Sequence, residues 1–474
     1  MSTGHASPVH SAAEPDTELD LKGTTEMSGT QPAVDDMTET LSLPAVHAKE
    51  LADAIAAAPV SGWFRTLAEW AAPGRAMVGL PDPRVGESDI ADLIRLLGIN
   101  ALESDPDRAA TMADIAVRWA LQARLLRLRT GVVRTAKQNT TWLDDDNAAT
   151  LWFQALSALV RPDVVFTTLL REYADTHFYS GDLARTVCEV LDPLAHGPAD
   201  EQTIAGGYAL RWGFGDARLA EIRIPLFLDR ALGLVTRDGT ADPWRLTASG
   251  LMVHTLYQLP RAPIAGEGDP DRPLSLVQWP DETEPGFTVK VKLSRSGVWR
   301  RLVIPGELTV YGLHLAVQKA FGWDGDHLHQ FRSGPFSFAA GEFELEDAVP
   351  SDLVTMTDLA ALGIKALEYE YDLGAGWLHE VSIERAHPAG TVTAIVCTAG
   401  AGTTPFEDGE GWLEDDRGNW VPDPDAVPDP RRVYDVARIN QELDQLIGED
   451  IDNLPWPEPA DEQSLHGHVH WSGV

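Results

Sequence analysis

The sequence is poor in cysteine, in basic residues and in long apolar runs, and each shortage narrows the choices. Only Cys188 and Cys397 occur among 474 residues, far apart in the chain. That usage fits a reducing compartment and supplies neither a disulfide framework nor a zinc ribbon. No stretch approaches the ~18 consecutive apolar residues of a spanning helix, so no membrane association is expected. The first residues are acidic and polar, without a basic or apolar leader segment, so the expected location is cytoplasmic. Lysine and arginine number 37 against 73 aspartates and glutamates, for a formal charge of -36. Broad attraction to nucleic acid or anionic lipid needs a cationic surface, and this balance works against both.

The charge is unevenly spread. Residues 401–474 carry 18 acids against 4 basic residues, whereas Arg118, Arg124, Arg127, Arg129, Arg134 and Lys137 fall in a stretch without any acid. A local cationic face inside an acidic protein is therefore allowed, with these six residues as candidate nucleic-acid contacts.

Length gives a prior of about three domains. Residues 1–45 are rich in Ser, Thr, Asp, Glu and Pro and lack apolar periodicity, which reads as a disordered acidic tail. Residues 46–260 are mainly helical in pattern. Pro, Gly, Asp and Glu dominate 261–286, which reads as a linker. Residues 287–425 form a mixed domain, 426–450 a helix and 451–474 a flexible tail. That tail holds His466, His468 and His470, a tract that could bind metal adventitiously.

Between residues 46 and 260 a single arrangement occurs twice. A helix through Leu121 is followed by a strand, a turn at Thr130-Gly131 and the strand Val132–Thr135. A second helix ends at Gly233, Leu234–Thr236 forms a strand, Asp238-Gly239 turns, Trp244–Leu246 returns, and Thr247 caps another helix. Helix followed by a small hairpin is the outline of a winged-helix module, so the pattern predicts a tandem of such modules. The functional reading is DNA contact, with the hairpin touching phosphates. The structural alternative is that the basic side chains are solvated stems covering apolar surface.

After the linker the period changes to two. Phe287, Val289, Val291 and Leu293 alternate with polar residues, and Arg295-Ser296-Gly297 turns the chain into a return strand from Val298 to Ile304. Thr309 is placed to cap a helix with the face Val310, Leu313, His314, Val317 and Phe321, and Gly322 to end it. Strands follow at 327–332, 367–373 and 377–383. The expected class is α+β, with an opening of β-grasp character. Val436, Ile439, Leu443, Leu446 and Ile447 form a helical stripe that should pack on this domain or on a partner.

Three ordered segments here resemble the plasmid pRiA Orf-three-like domain family, one member of which is named as a TnpR of an insertion sequence. The first is Trp299-Arg300-Arg301, Leu313-His314, Gly322-Trp323 and His327-Leu328-His329-Gln330-Phe331. The second is Tyr371-Asp372-Leu373-Gly374-Ala375-Gly376-Trp377-Leu378-His379. The third comprises Cys397, Gly400, Pro405, Glu407, Asp408 and Gly411. The resemblance runs from about Phe287 to Trp412 and covers nothing before it. Ala375 stands where the family usually has an acid, and Gly409 where a second cysteine is usual. The resemblance implies association with mobile genetic elements but no enzymatic mechanism and no cofactor; together with the helix–hairpin pattern and the Arg118–Lys137 cluster it leads to the expectation of a binding or regulatory role, with DNA or a protein as partner.

The family-matching polar groups form one candidate cluster: Trp299, Arg300, Arg301, His314, Trp323, His327, His329, Tyr371, Trp377, His379, Glu407 and Asp408. Imidazoles with carboxylates are usual metal ligands and suit acid–base work near neutral pH. His327 and His329, two apart on a strand, would share a face, and with His379 could hold a metal for assisted hydrolysis. The structural reading is that His314 and His379 are core histidines on apolar faces and that Trp299, Trp323 and Trp377 fill the core. Arg300 and Arg301 must point in opposite directions.

Overall fold

The structure, a computed structural model, describes residues 48–448 apart from 80–82, 102, 145–146, 175–182, 213–218, 240, 259–284, 341–347, 408–411, 416, 418–419 and 424–431. The expectations placed on the acidic tail, on nearly all of the 261–286 linker and on the His-rich tail lie outside the described residues.

Helices dominate as far as Gln258: α1 (Ala48–Ala57), α2 (Pro59–Ala71), α3 (Glu87–Leu96), α4 (Pro106–Gln122), α5 (Ala148–Ser157), α6 (Val164–Ala174), α7 (Leu183–Val190), α8 (Asp192–Ala195), α9 (Glu201–Trp212), α10 (Leu219–Ala231) and α11 (Ala248–Gln258). Asp105 fixes the start of α4, its carboxylate accepting from the backbone N–H groups of Asp107 and Arg108, with Pro106 at the first helical position. Trp119 and Trp152 are wholly buried and satisfy their indole N–H groups on the carbonyls of Ala155 and Leu232.

The two helix–hairpin units are both present. In the first, Arg124 takes a left-handed conformation and ends α4. Strands β3 (Leu126–Arg129) and β4 (Val132–Thr135) follow, joined by Thr130 and Gly131, both at positive φ, as a two-residue hairpin turn requires. Strands β1 (Arg75–Val78) and β2 (Arg84–Val85) extend the hairpin into a sheet of order β2-β1-β4-β3. In the second, Gly233 (φ 69°) leads into β5 (Val235–Thr236), which pairs with β6 (Arg245–Leu246). The expected tight turn at Asp238-Gly239 is corrected here, because residues 237–244 separate the two paired strands. Thr247 caps α11 as expected, accepting from the N–H of Gly250.

The second half is built on one sheet: β7 (Gly286–Leu293), β8 (Trp299–Pro305), β9 (His329–Ser333), β10 (Phe336–Ala339), β11 (Val349–Pro350), β12 (Ala366–Tyr371), β13 (Trp377–His387) and β14 (Val396–Ala401). Their order is β11-β10-β9-β12-β13-β7-β8-β14. Pairing within it is antiparallel except between β10 and β11. Helix α12 (Val310–Phe321) lies against one face. It starts at Thr309, whose hydroxyl accepts from the N–H of Gly312, and ends at left-handed Gly322. Helix α13 (Met356–Ala361) begins with a capping box between Thr355 and Asp358. The opposite face is charged, with Arg301 on Glu384, Lys292 on Glu380, and Arg332 on Glu368 and Glu370. A separate hairpin pairs β15 (Trp412–Glu414) with β16 (Trp420–Pro422).

The terminal stripe folds as α14 (Val436–Gly448) and packs on α12 and β14, burying Ile439, Leu443 and Leu446. Asn440 donates to the carbonyl of Cys397 and accepts from its N–H, so a side-chain amide occupies backbone groups on the edge strand. Both cysteines are buried.

The helical and sheet-rich halves meet through α5. Phe153 stacks on Phe336 at 6.5 Å, and Gly363 (φ 79°) presses on the backbone of Ala149, where a Cβ would stand 2.1 Å from the carbonyl oxygen. Gly363→Ala is therefore expected to destabilise the protein by about 1–3 kcal/mol, through strain in φ and separation of this contact. Gly62→Ala, in α2 and with nothing near its added Cβ, should be neutral or stabilising. Denaturant unfolding of both variants checks the contrast.

Candidate functional site

The motif histidines lie under α12 in a layer of stacked rings. His314 from α12 and His329 from β9 are parallel, with centroids 3.6 Å apart. The Tyr369 hydroxyl is 2.8 Å from His314 Nδ1 and accepts from Gln318 Nε2 at 2.7 Å. His379 packs edge-on against Phe321 and Trp323 and lies beside Tyr369. Among the described residues His329 Nε2 has no hydrogen-bond partner, and the backbone of Tyr369 and Trp377 lies close to the His379 ring.

Burial sets the protonation of this layer. It holds the His314 imidazole well below its usual range, helped by adjacent His329. It takes His329 down to about 3 and His379 down to about 4. Burial likewise pushes the Tyr369 phenol well up, and burial together with Glu407 raises that of Tyr371. The rings are neutral near pH 7.

Arg300 points into the core and Arg301 outward, as their alternation requires. Every donor of the buried Arg300 is taken. Nε reaches the carbonyl of Ala320 at 2.9 Å, and the terminal nitrogens reach the carbonyls of Trp299, Ala401 and Gly402 and the Thr404 hydroxyl. Burial draws its guanidinium down to about 10, still charged at neutral pH. Arg301 is ion-paired with Glu384 and lies over the Trp299 ring. Trp299 corrects an expectation: it shares the outer face with Arg301, only half-buried, while Trp323 and Trp377 are in the core.

Glu407 gathers much of the rest. One carboxylate oxygen accepts from the Tyr371 hydroxyl at 2.6 Å and from the N–H groups of Asp324 and Gly325. Its backbone carbonyl accepts from the Trp377 indole, and that of Pro405 from the Trp323 indole. Asp408 lies outside the described residues.

The shared face of His327 and His329 is also corrected. His327 precedes β9, half-buried and edge-on to Tyr371, whereas His329 turns in to stack on His314. Among the described residues no group of three or more His, Cys, Asp or Glu side chains could hold a metal ion. Arg300, His314, Trp323, His329, Tyr371, Trp377, His379 and Glu407 converge, but as a packed, hydrogen-bonded layer, while Trp299 and Arg301 lie on the outer face.

Of the candidate nucleic-acid contacts, Arg118 is half-buried and paired with Asp163. Arg124, Arg127, Arg129, Arg134 and Lys137 are exposed, and Arg127 stands directly opposite Arg134 on the β3–β4 hairpin.

A cavity of about 270 Å³ in the helical half was not anticipated; Arg108, Arg223, Arg230 and Arg237 are among its lining residues. The available signal was the spacing of Arg223 and Arg230 at i, i+7 on one helix face.

The neutral histidines carry a pH dependence. Unfolded, they titrate near 6.5; folded, they bind protons only at much lower pH, so the unfolded state takes up more protons as the medium acidifies. Their stabilisation is present above pH 6.5 and declines toward about 4, where His379 titrates, at up to roughly 1.4 kcal/mol per pH unit for each histidine. Unfolding free energy measured from pH 7.5 to 4.5 should fall along this course, less steeply in His379→Phe.

Among the described residues no helix is long and apolar enough to cross a membrane. Residues 286–417 match the family model described as plasmid pRiA4b ORF-3-like protein. The chain is similar to the uncharacterized protein y4hQ of Sinorhizobium fredii, 35% identical over 119 residues, which cover 24% of this chain and 61% of that relative. It is also similar to a crystallised protein of unknown function from Methanosarcina mazei Go1, at 28% identity and a TM-score of 0.24, covering 25% of this chain and 72% of that one. The motifs at Trp299, His314, His329, Trp377 and Glu407 all fall within the matched span, and the chain covers less than two thirds of the curated relative's length.

Proposed function

We propose that this is a regulatory binding protein, associated with mobile elements, that touches duplex DNA through its first helix–hairpin unit. The observation that carries the reading is the β3–β4 hairpin. Like charges directly opposite on neighbouring strands repel, yet Arg127 faces Arg134 there, with exposed Arg129 on the same hairpin. Arg127 and Arg129 make no hydrogen bond or ion pair among the described residues, and an anionic polymer alongside would relieve the repulsion. The helix–hairpin outline supports reading both units as winged-helix-like modules, with this hairpin as the wing. The hairpin-then-helix opening of the large sheet supports its β-grasp-like reading.

Helix α4 limits the kind of contact. From Arg108 to Gln122 none of its residues is exposed, so it offers no face to base edges. The hairpin can meet phosphates only, which positions a protein without reading sequence. The pRiA-like domain then serves as a compact platform, since its motif residues are committed to packing.

The test is titration of the full-length protein onto labelled duplexes of unrelated sequence at several salt concentrations. Binding should weaken steeply with salt and vary little with sequence. Arg127→Ala/Arg134→Ala should reduce the magnitude of the log–log salt slope by about 2. Affinity without salt dependence, or a double variant indistinguishable from wild type, would remove the reading.

A further inference from the structure

The cavity in the helical half has the chemistry of a ligand site. It lies where α2, α4, α6 and α10 meet the second hairpin, bordered by Trp63, Arg108, Tyr173, Phe227, Arg230 and Arg237. At about 270 Å³ it sits near the lower end of the volumes typical of small-molecule pockets.

Its charges are incompletely answered. Arg108 is held by Glu103 through two hydrogen bonds, at 2.9 and 3.2 Å. Arg237 is held by Glu201 at 3.1 Å and lies over the Trp244 ring at 4.1 Å. Both lining glutamates are thus engaged. Arg230 is half-buried and makes no hydrogen bond or ion pair among the described residues. Asp229, next to it in sequence, is wholly buried and does not line the cavity. Tyr173 is 7% exposed, and its hydroxyl has no hydrogen-bond partner among the described residues. It is near enough to Arg230 for each to influence the other's ionisation.

An unanswered guanidinium fork and a phenol hydroxyl call for one planar anion with two acceptor oxygens. The walls around them are flat and apolar. Phe227 stacks on Trp63 at 6.2 Å and contacts Tyr173 at 5.1 Å, with Met112 and Leu226 alongside. We infer that this cavity binds a small aromatic monocarboxylate, its carboxylate on Arg230 and Tyr173 and its ring against Trp63 and Phe227. Burial lowers the Arg230 guanidinium, helped by Arg237, and drives the Tyr173 phenol up to about 12. The first remains a cation and the second a donor at neutral pH, as the pairing needs. The site owes nothing to the hairpin arginines and stands independently of DNA contact.

The full-length protein, without DNA, is titrated with benzoate and phenylacetate, and in parallel with benzamide and inorganic phosphate. Tryptophan fluorescence and calorimetry follow binding. At least one carboxylate should bind and raise the melting temperature, and neither control should. Arg230→Gln should weaken the carboxylate by about tenfold or more. Tyr173→Phe keeps the ring on Phe227 and should weaken binding a few-fold without changing the ligand-free melting temperature, so it carries the test should Arg230→Gln unfold. Failure of both carboxylates to bind at millimolar concentration, or unchanged binding by the folded variants, overturns the inference. So does phosphate or benzamide binding as well as the carboxylates.

Discussion

The pRiA-like domain is organised around a single buried cation. A guanidinium removed from water carries a desolvation penalty of several kcal/mol unless its donors are met, and Arg300 meets all of them with carbonyls and a hydroxyl. The acceptors come from different places: its own neighbour Trp299, Ala320 near the end of α12, and the stretch from Ala401 to Thr404. The end of a helix presents partial negative charge, so α12 contributes electrostatically as well as by packing. The Phe321 and Tyr434 rings flank the same guanidinium. One side chain thereby fixes the first hairpin, the helix and the strap after β14 in a single geometry.

The strap then explains why distant motif segments belong together. Having passed Arg300, it runs to Pro405 and Glu407, whose carbonyls receive the indole N–H groups of Trp323 and Trp377. The Glu407 carboxylate receives Tyr371 and the turn at Asp324-Gly325. The two indole N–H groups and the Tyr371 hydroxyl would be polar liabilities alone. Together they close on one another, which ties Arg300, Trp323, Tyr371, Trp377 and Glu407 into one network.

Much of this is legible in residue order. The capped helix from Thr309 to Gly322 and the two-residue turn at Thr130-Gly131 depend on local backbone chemistry, and both form as expected. The parity of β8 carries more than its hydrophobicity does: Arg300 keeps step with buried Leu302 and Ile304, whereas Trp299 keeps step with Arg301. Hydrophobicity alone would put Trp299 inside, but strand geometry places it outside, where Lys290 and Arg301 cover its faces. His327 escapes the strand because pairing of β9 begins at His329, and no periodicity marks where a ladder starts. The arginine-lined cavity is hidden for a different reason. Its walls come from elements spread between Pro59 and Trp244, so only the tertiary fold brings them together.

What the histidine layer can do chemically follows from its dielectric surroundings. A general acid or base works best with a pKa near the operating pH, and burial moves His314, His329 and His379 far below it while moving Tyr369 far above. The layer orients hydrogen bonds, and its rings are neutral at neutral pH. The helical half arranges its ionisable groups the opposite way. There, arginines stand on an exposed hairpin and around a concave wall, and among the described residues no acid pairs with Arg127, Arg129 or Arg230. In a protein of net charge -36, cations without an acidic partner among the described residues are the basis of both proposed contacts, and both lie in the helical half.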